Sequence, residues 1–170
     1  MTPKKSCVVI PTKNEQENII EIVNSINVFF KKTPEKIITT IIVDDSTDDT
    51  KIHIKKTTAI LIRGDGDGLG SAMMKGLRHS LQFNPEIILT IDGDGQADIN
   101  EIDDFLSPIE NDQADLVLGS RFKNKDLIKY NYPLLNRFGT ILLSAMLRSF
   151  TGLPLTDSHG GLRAMTPEVV

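Results

Sequence analysis

The chain is nearly devoid of cysteine. Of 170 residues only Cys7 carries a thiol, so no intramolecular disulfide can form and a reducing compartment is implied. Cys7 lies inside the apolar run "CVVI", where it reads as a small buried hydrophobe. Tryptophan is absent too. No apolar run approaches the roughly 20 residues that a membrane-spanning helix needs, and the first apolar segment is too short for a signal-peptide core. The chain therefore reads as cytoplasmic. An excess of positive charge is also missing: 19 Lys and Arg stand against 23 Asp and Glu, a formal charge of −4, which gives no electrostatic footprint for nucleic acid. The first strand-to-helix turn, "PTKNE", contains no glycine, which argues against a dinucleotide-binding dehydrogenase, and no P-loop pattern occurs.

What is present is an alternation of strand and helix signals over a length that suits one domain. "CVVI" is a buried strand stopped at Pro11, and "QENIIEIVNSINVFF" has helical spacing with Asn14 as the expected N-cap and Glu17 completing a capping box. "KIITTIIV", "AILIR", "EIILTI" and "ADLVLGS" read as further strands. "STDDTKIHIKK", "AMMKGLRHSLQF" and "INEIDDFLSPI" read as helices, with Ser46 or Thr47 capping the first of them and His53 and His79 on solvated faces. From Tyr132 a long apolar-rich segment reads as a helix, either core or with one face, carrying Arg137 and Arg148, toward a membrane surface. This pattern predicts an α/β chain with a mostly parallel, Rossmann-like sheet and helices on both faces. In such sheets ligands bind beyond the carboxyl ends of the strands, so Asp44-Asp45 and Asp92/Asp94 should face one cleft.

"TIDGDGQAD" places Asp92, Asp94 and Asp98 directly after an apolar strand, with glycines that let the backbone turn sharply. Mg²⁺ and Mn²⁺ take hard oxygen ligands, commonly one or two carboxylates with water and substrate phosphates, and a nucleotide diphosphate would complete such a site. A calcium loop is a rival: Asp92, Asp94, Gln96 and Asp103 fall at loop positions 1, 3, 5 and 12. However, Ala97 occupies the position that requires glycine, and a strand precedes the loop where a helix should. A solvated turn stays open. "VDDSTDDT" reads either as a polar cap or as a carboxylate for a base N–H or ribose hydroxyls. "GDGDGLGS" is weak evidence for any nucleotide.

Six segments in order, "VVIPTKNEQENI", "IIVDDSTDDT", "GLGSAMMKGL", "LTIDGDGQAD", "ADLVLGSRF" and "TDSHGGLRAM", resemble a family 2 glycosyltransferase, most closely the dolichol-phosphate (polyprenyl-phosphate) mannose synthases. The resemblance covers nearly the whole chain. It implies a type-A glycosyltransferase fold, a nucleotide-sugar donor such as GDP-mannose, Mg²⁺ or Mn²⁺, and inverting transfer to a lipid phosphate at the cytoplasmic face of a membrane. UDP-glucose or a hydroxyl acceptor are its variants, and a nucleotide-sugar-binding domain without turnover is the alternative class. A nucleotidyltransferase would need a glycine-rich basic first turn that "PTKNEQEN" lacks.

Carried onto this sequence, the resemblance places Pro11, Lys13 and Glu15 along the nucleoside and Val43 and Asp45 near its base. Asp92, Gly93 and Asp94 would border the diphosphate and sugar, and Asp94 and Gln96 would hold the metal. Arg121 would approach the phosphates, Arg137 the acceptor phosphate, and Asp157 would serve as base for a hydroxyl acceptor. Lys13 stands where the family often has an aromatic residue. The family also continues past "GGLRAM", so residues 1–170 are expected to be a catalytic domain cut short at its C-terminus.

Overall fold

The computed structural model describes residues 4–32, 36–120, 134–152 and 160–170. The chain divides into two compact units, Met1–Val117 with Gly161–Val170, and Leu118–Gly160. In chain order the elements are β1 (Ser6–Thr12), α1 (Ile19–Phe30), β2 (Ile37–Asp44), α2 (Thr50–Ile54), β3 (Ile60–Arg63), α3 (Leu69–Ser80), β4 (Ile87–Ile91), α4 (Ile102–Glu110), β5 (Leu116–Leu118), α5 (Leu134–Thr151) and β6 (Leu162–Met165). The sheet order is β3-β2-β1-β4-β6-β5. β1 pairs in parallel with β2 and β4, and β2 with β3, whereas β6 runs antiparallel to β4.

β4 explains why the central strands are continuous apolar runs. Ile87, Leu89 and Ile91 enter a core cluster with Ile19, Ile22, Val23, Ile26 and Phe30 of α1 and Ile102, Phe105, Leu106 and Ile109 of α4. Ile88, between them, packs on the opposite face with Val9 and with Met73 and Leu77 of α3. A strand covered on both faces has no side for polar residues. α1 is rich in isoleucine and valine, which cost at most about 0.7 kcal/mol each in helix propensity. Its five buried side chains gain about 1.5–3 kcal/mol each, so tertiary burial rather than propensity makes this segment helical.

α3 approaches the sheet through Gly76. A Cβ there would lie 2.4 Å from Val9 Cγ1 and 3.0 Å from Val43 Cγ2. Gly76→Ala would gain about 1 kcal/mol of helix propensity. Overpacking against two immobile β-branched side chains costs about 1–3 kcal/mol. The variant is expected to be net destabilised, with its thermal midpoint several degrees lower, and a midpoint equal to or above the parent's would refute this packing.

Several local expectations change. Pro11 lies within β1 rather than ending it. Pairing with β4 stops at Val9↔Thr90, while pairing with β2 continues to Thr12↔Asp44, so a residue without an N–H is tolerated beyond Val9. Asn14 does not cap α1, whose N-cap is Asn18. Nor do Ser46 or Thr47 cap α2: the cap is Asp49, and the Asp48 carboxylate accepts from Thr50 N at 3.0 Å and from the Thr50 hydroxyl. His53 is half-buried, with Nδ1 2.6 Å from the Gln16 carbonyl, and half-buried His79 packs edge-on against Phe83. In the second unit, α5 exposes Ile141, Leu142, Leu143, Met146 and Phe150 while Ser144 is buried, contrary to the core reading of this helix. Among the described residues no helix is long and apolar enough to cross a membrane.

Candidate active site

Three parallel strands of the first unit, β1, β2 and β4, deliver their carboxyl ends side by side. Thr12 and Asp44, the last pair of β1 and β2, are both buried, and Thr12 Oγ1 donates to Asp44 Oδ1 at 3.1 Å. The same carboxylate oxygen accepts from the backbone and hydroxyl of Ser46. Asp44 is thereby buried and committed to joining two strand ends. Strand alternation is the reason: Asp44 follows Ile42 toward the α1 side, and the next residue emerges on the other.

The turns beyond these strands are laced together. Asn14 adopts the left-handed conformation (φ 60°), its N–H donates to Ser46 Oγ at 2.7 Å, and its Oδ1 accepts from Thr47 N at 2.9 Å. Lys13 is thereby held exposed at the rim, and Glu15, half-buried, accepts from Asn18 Nδ2 at 2.9 Å. Pro11 is buried and the Val43 side chain belongs to the core.

Asp45 is half-buried, and its Oδ1 accepts from the Gly66 N–H at 2.9 Å. A Cβ on Gly64 would fall 2.1 Å from that oxygen, so only glycine admits the carboxylate here. The glycine-rich segment after β3 thus serves to seat Asp45.

β4 ends in the turn that carries the carboxylates. Gly93 is buried, and a Cβ there would meet Thr12 Cγ2 at 2.7 Å and the Pro11 carbonyl oxygen at 3.1 Å; its bareness lets the strand leave close beside β1. Asp94 follows, exposed, with Oδ1 accepting from Gln96 N at 3.0 Å across Gly95 (φ 73°). Among the described residues its other oxygen makes no hydrogen bond, and Gln96 is exposed two residues on. Asp98 caps the following turn by accepting from Asn100 N at 3.0 Å. Asp92 is half-buried; its N–H donates to the Gly161 carbonyl at 3.1 Å, and a Cβ on Gly161 would lie 2.7 Å from Asp92 Oδ2.

Among the described residues no cluster of three or more His, Cys, Asp or Glu forms a cation cage. One free carboxylate oxygen and one amide suit Mg²⁺ or Mn²⁺, which draw their remaining ligands from water and substrate phosphates, better than calcium with its six to eight oxygens. The donor set at Asp94 and Gln96 therefore fits the implied metal. Arg121 and Asp157 lie outside the described residues, and Arg137 falls within α5 of the second unit. Sequence reasoning missed Thr12, Gly64 and Gly161 as shapers of the site. For the glycines, their position directly beside a strand end was the available signal.

The chain is 31% identical to the UDP-N-acetylglucosamine–dolichyl-phosphate N-acetylglucosaminyltransferase of Methanococcus voltae, over 98% of this chain and 71% of that protein. It is 26% identical to the dolichol-phosphate mannosyltransferase of Pyrococcus furiosus, over 98% of this chain and 47% of that one. The chain thus spans between about half and seven tenths of these relatives. Among solved structures, glucosyl-3-phosphoglycerate synthase from Mycobacterium tuberculosis, crystallised with Mn²⁺, UDP and phosphoglyceric acid, superposes with a TM-score of 0.72 at 21% identity, covering 98% of this chain and 57% of that one. Mannosyl-3-phosphoglycerate synthase from Rubrobacter xylanophilus gives 0.72 at 20% identity, covering 98% and 55%. These likenesses establish the type-A glycosyltransferase fold. The model of glycosyl transferase family 2 matches residues 7–170, nearly the full chain, and the protein belongs to that family.

Proposed function

We propose that the chain is the catalytic domain of a metal-dependent inverting glycosyltransferase that moves a sugar from a nucleoside-diphosphate donor to a polyprenyl or dolichyl phosphate. The observation that carries this reading is Asp94: an exposed carboxylate with one oxygen free among the described residues, set by Gly93 and Gly95 at the end of the central strand with Gln96 two residues on. Support for the acceptor comes from the relatives named for dolichyl phosphate. Asp94 and Gln96 would hold Mg²⁺ or Mn²⁺, whose charge offsets that developing on the leaving diphosphate.

The chain's residues have separable tasks in this reading. Asp45, seated by Gly66 N–H, offers its second oxygen to a base N–H or a ribose hydroxyl. Pro11, Lys13 and Glu15 line the same rim, and Asp92 and Gly93 border the sugar and diphosphate. Arg121 would add positive charge at the diphosphate and Arg137 at the acceptor. The acceptor phosphate oxygen attacks the anomeric carbon as the bond to the diphosphate breaks, so configuration inverts. A phosphate is already anionic near neutral pH and must be oriented rather than deprotonated; a hydroxyl acceptor would instead call on Asp157. GDP-mannose is the donor suggested by the mannose synthases, and UDP-N-acetylglucosamine by the Methanococcus relative. Acting on a lipid phosphate places the domain at a membrane surface.

Thermal unfolding with Mn²⁺ and a panel of GDP, UDP and their sugars tests the reading. One nucleotide should raise the midpoint in a metal-dependent manner, by an amount equivalent to about 2.7 kcal/mol at one hundred times its dissociation constant. Absence of a shift with every nucleotide would return "DGDGQ" to a solvated turn.

A further inference from the structure

The turn between β3 and α3, residues 64–68, is tied down on both sides of Asp65. Before it, Gly64 N–H donates to the Asp44 carbonyl at 2.9 Å, just past the last paired residues of β2 and β3. After it, Gly66 N–H donates to Asp45 Oδ1 at 2.9 Å. Asp65 itself is taken up by α3: its Oδ1 accepts from Lys75 Nζ at 2.6 Å. Among the described residues this ion pair is the sole side-chain bond joining residues 64–68 to α3.

The turn is otherwise open. Residues 65–70 are exposed, Gly66 and Gly68 have φ of 80° and 92°, and a Cβ added at either would meet nothing within 4 Å. Glycine loses more conformational freedom on ordering than any other residue, so an exposed turn built on two of them keeps one shape where it is fastened. Its anchor is well placed. Lys75 precedes Gly76, the residue through which α3 meets Val9 and Val43 of the sheet. Asp65 in turn supplies the carbonyl half of the peptide whose N–H reaches Asp45. Because a peptide unit is planar, holding Asp65 holds the direction of that N–H.

The Asp45 carboxylate fills the space over Gly64, and the Gly66 N–H fixes one of its oxygens, which leaves the other to face a ligand. If residue 66 drifts, Asp45 loses its hydrogen-bond donor and its side chain regains rotamer freedom. We propose that Asp65 and Lys75 are positioning residues for nucleoside recognition: their ion pair straps the glycine turn to α3 and so presents Asp45 in one orientation. The proposal rests on the glycosyltransferase reading above, in which Asp45 meets the base or the ribose. Asp65 and Lys75 act only through Asp45.

Calorimetry on the intact chain measures dissociation constants for GDP and UDP with Mn²⁺, and NMR follows solvent exchange of the Gly66 amide in the ligand-free protein. Asp65→Asn and Lys75→Gln should each weaken the preferred nucleotide about two- to fivefold, the scale that a part-exposed ion pair supports, and each should speed Gly66 exchange. The ligand-free unfolding midpoint should hardly move, since the two side chains are 53% and 35% exposed. Asp65→Asn is the decisive variant. Removing a negative charge would tighten binding of an anionic nucleotide if charge alone mattered, whereas loss of the strap weakens it. Affinity in Asp65→Asn equal to or above the parent's would overturn the proposal. So would weaker binding with Gly66 exchange unchanged, because the effect would then bypass Asp45. A parent protein that binds neither nucleotide in the presence of Mn²⁺ would instead bring down the glycosyltransferase reading, and this proposal with it.

Discussion

Asp94→Ala should eliminate the metal-dependent stabilisation by nucleoside diphosphate and lower turnover by at least about 10²-fold, the scale seen when a group stabilising transition-state charge is removed. The unfolding midpoint of the ligand-free protein should hardly move. Asp94 is exposed, and among the described residues its only hydrogen bond is from Gln96 N at 3.0 Å within its own turn. Surface substitutions away from caps and cores stay within about 0.5 kcal/mol. Asp94→Asn sharpens the comparison, because the amide oxygen can still accept from Gln96 N while the charge is gone. If charge at that position is what binds, the asparagine variant should fail nearly as badly as alanine. A variant that keeps metal-dependent binding with Asn but loses it with Ala would assign the role to the turn and not to the charge.

The parts of this fold that the sequence made legible are those where one local pattern has one physical outcome. "EIILTI" is apolar at every position from Ile87 to Ile91 because both faces of β4 are covered, and its place as a central strand follows. "GDG" after it announced a backbone that turns sharply and approaches a ligand; the sharp turn is there, but the close approach the structure shows is to β1. Gly93 makes that approach, and Gly95 makes the turn through its positive φ.

Where partners come from far along the chain, the local pattern misleads. Asn14 followed by Glu17 has the spacing of a capping box, but Asn14 finds Thr47 and Ser46 more than thirty residues away and leaves the helix to begin at Ile19. The two carboxylates of "VDD" are indistinguishable as text. Strand alternation and the Thr12 hydroxyl decide that Asp44 is buried and Asp45 is available. β6 is four residues long and antiparallel, with no periodicity to betray it, and only its pairing with β4 reveals that Gly161 and Arg163 belong beside Asp92 and Thr90. The assignments of Arg121 and Asp157 fall outside the described residues, so for them the sequence resemblance stands alone.

Gly93→Ala tests whether fold and site are joined at the point the structure indicates. A methyl at this buried position would meet Thr12 Cγ2 at 2.7 Å and the Pro11 carbonyl oxygen at 3.1 Å. Neither neighbour can yield freely. Thr12 is held by its hydrogen bond to the buried Asp44 carboxylate, and Pro11 is backbone in the middle of the sheet. The strain must be relieved by moving the exit of β4 away from β1, at a cost of about 1–3 kcal/mol, a large share of a domain stability of about 5–15 kcal/mol. Because that exit carries Asp94, the displacement should weaken nucleotide and metal binding as well, since donors a fraction of an ångström out of place no longer converge on one cation. The variant should therefore unfold several degrees below the parent and also show a smaller metal-dependent shift, whereas Asp94→Ala loses only the shift. Thermal scans of both variants, with and without Mn²⁺ and nucleotide, separate the two. A Gly93→Ala protein as stable as the parent would mean that β1 and β4 do not approach so closely. One that is destabilised yet binds with undiminished shift would mean that the carboxylate turn is positioned by something other than the close contact of Gly93 with Pro11 and Thr12.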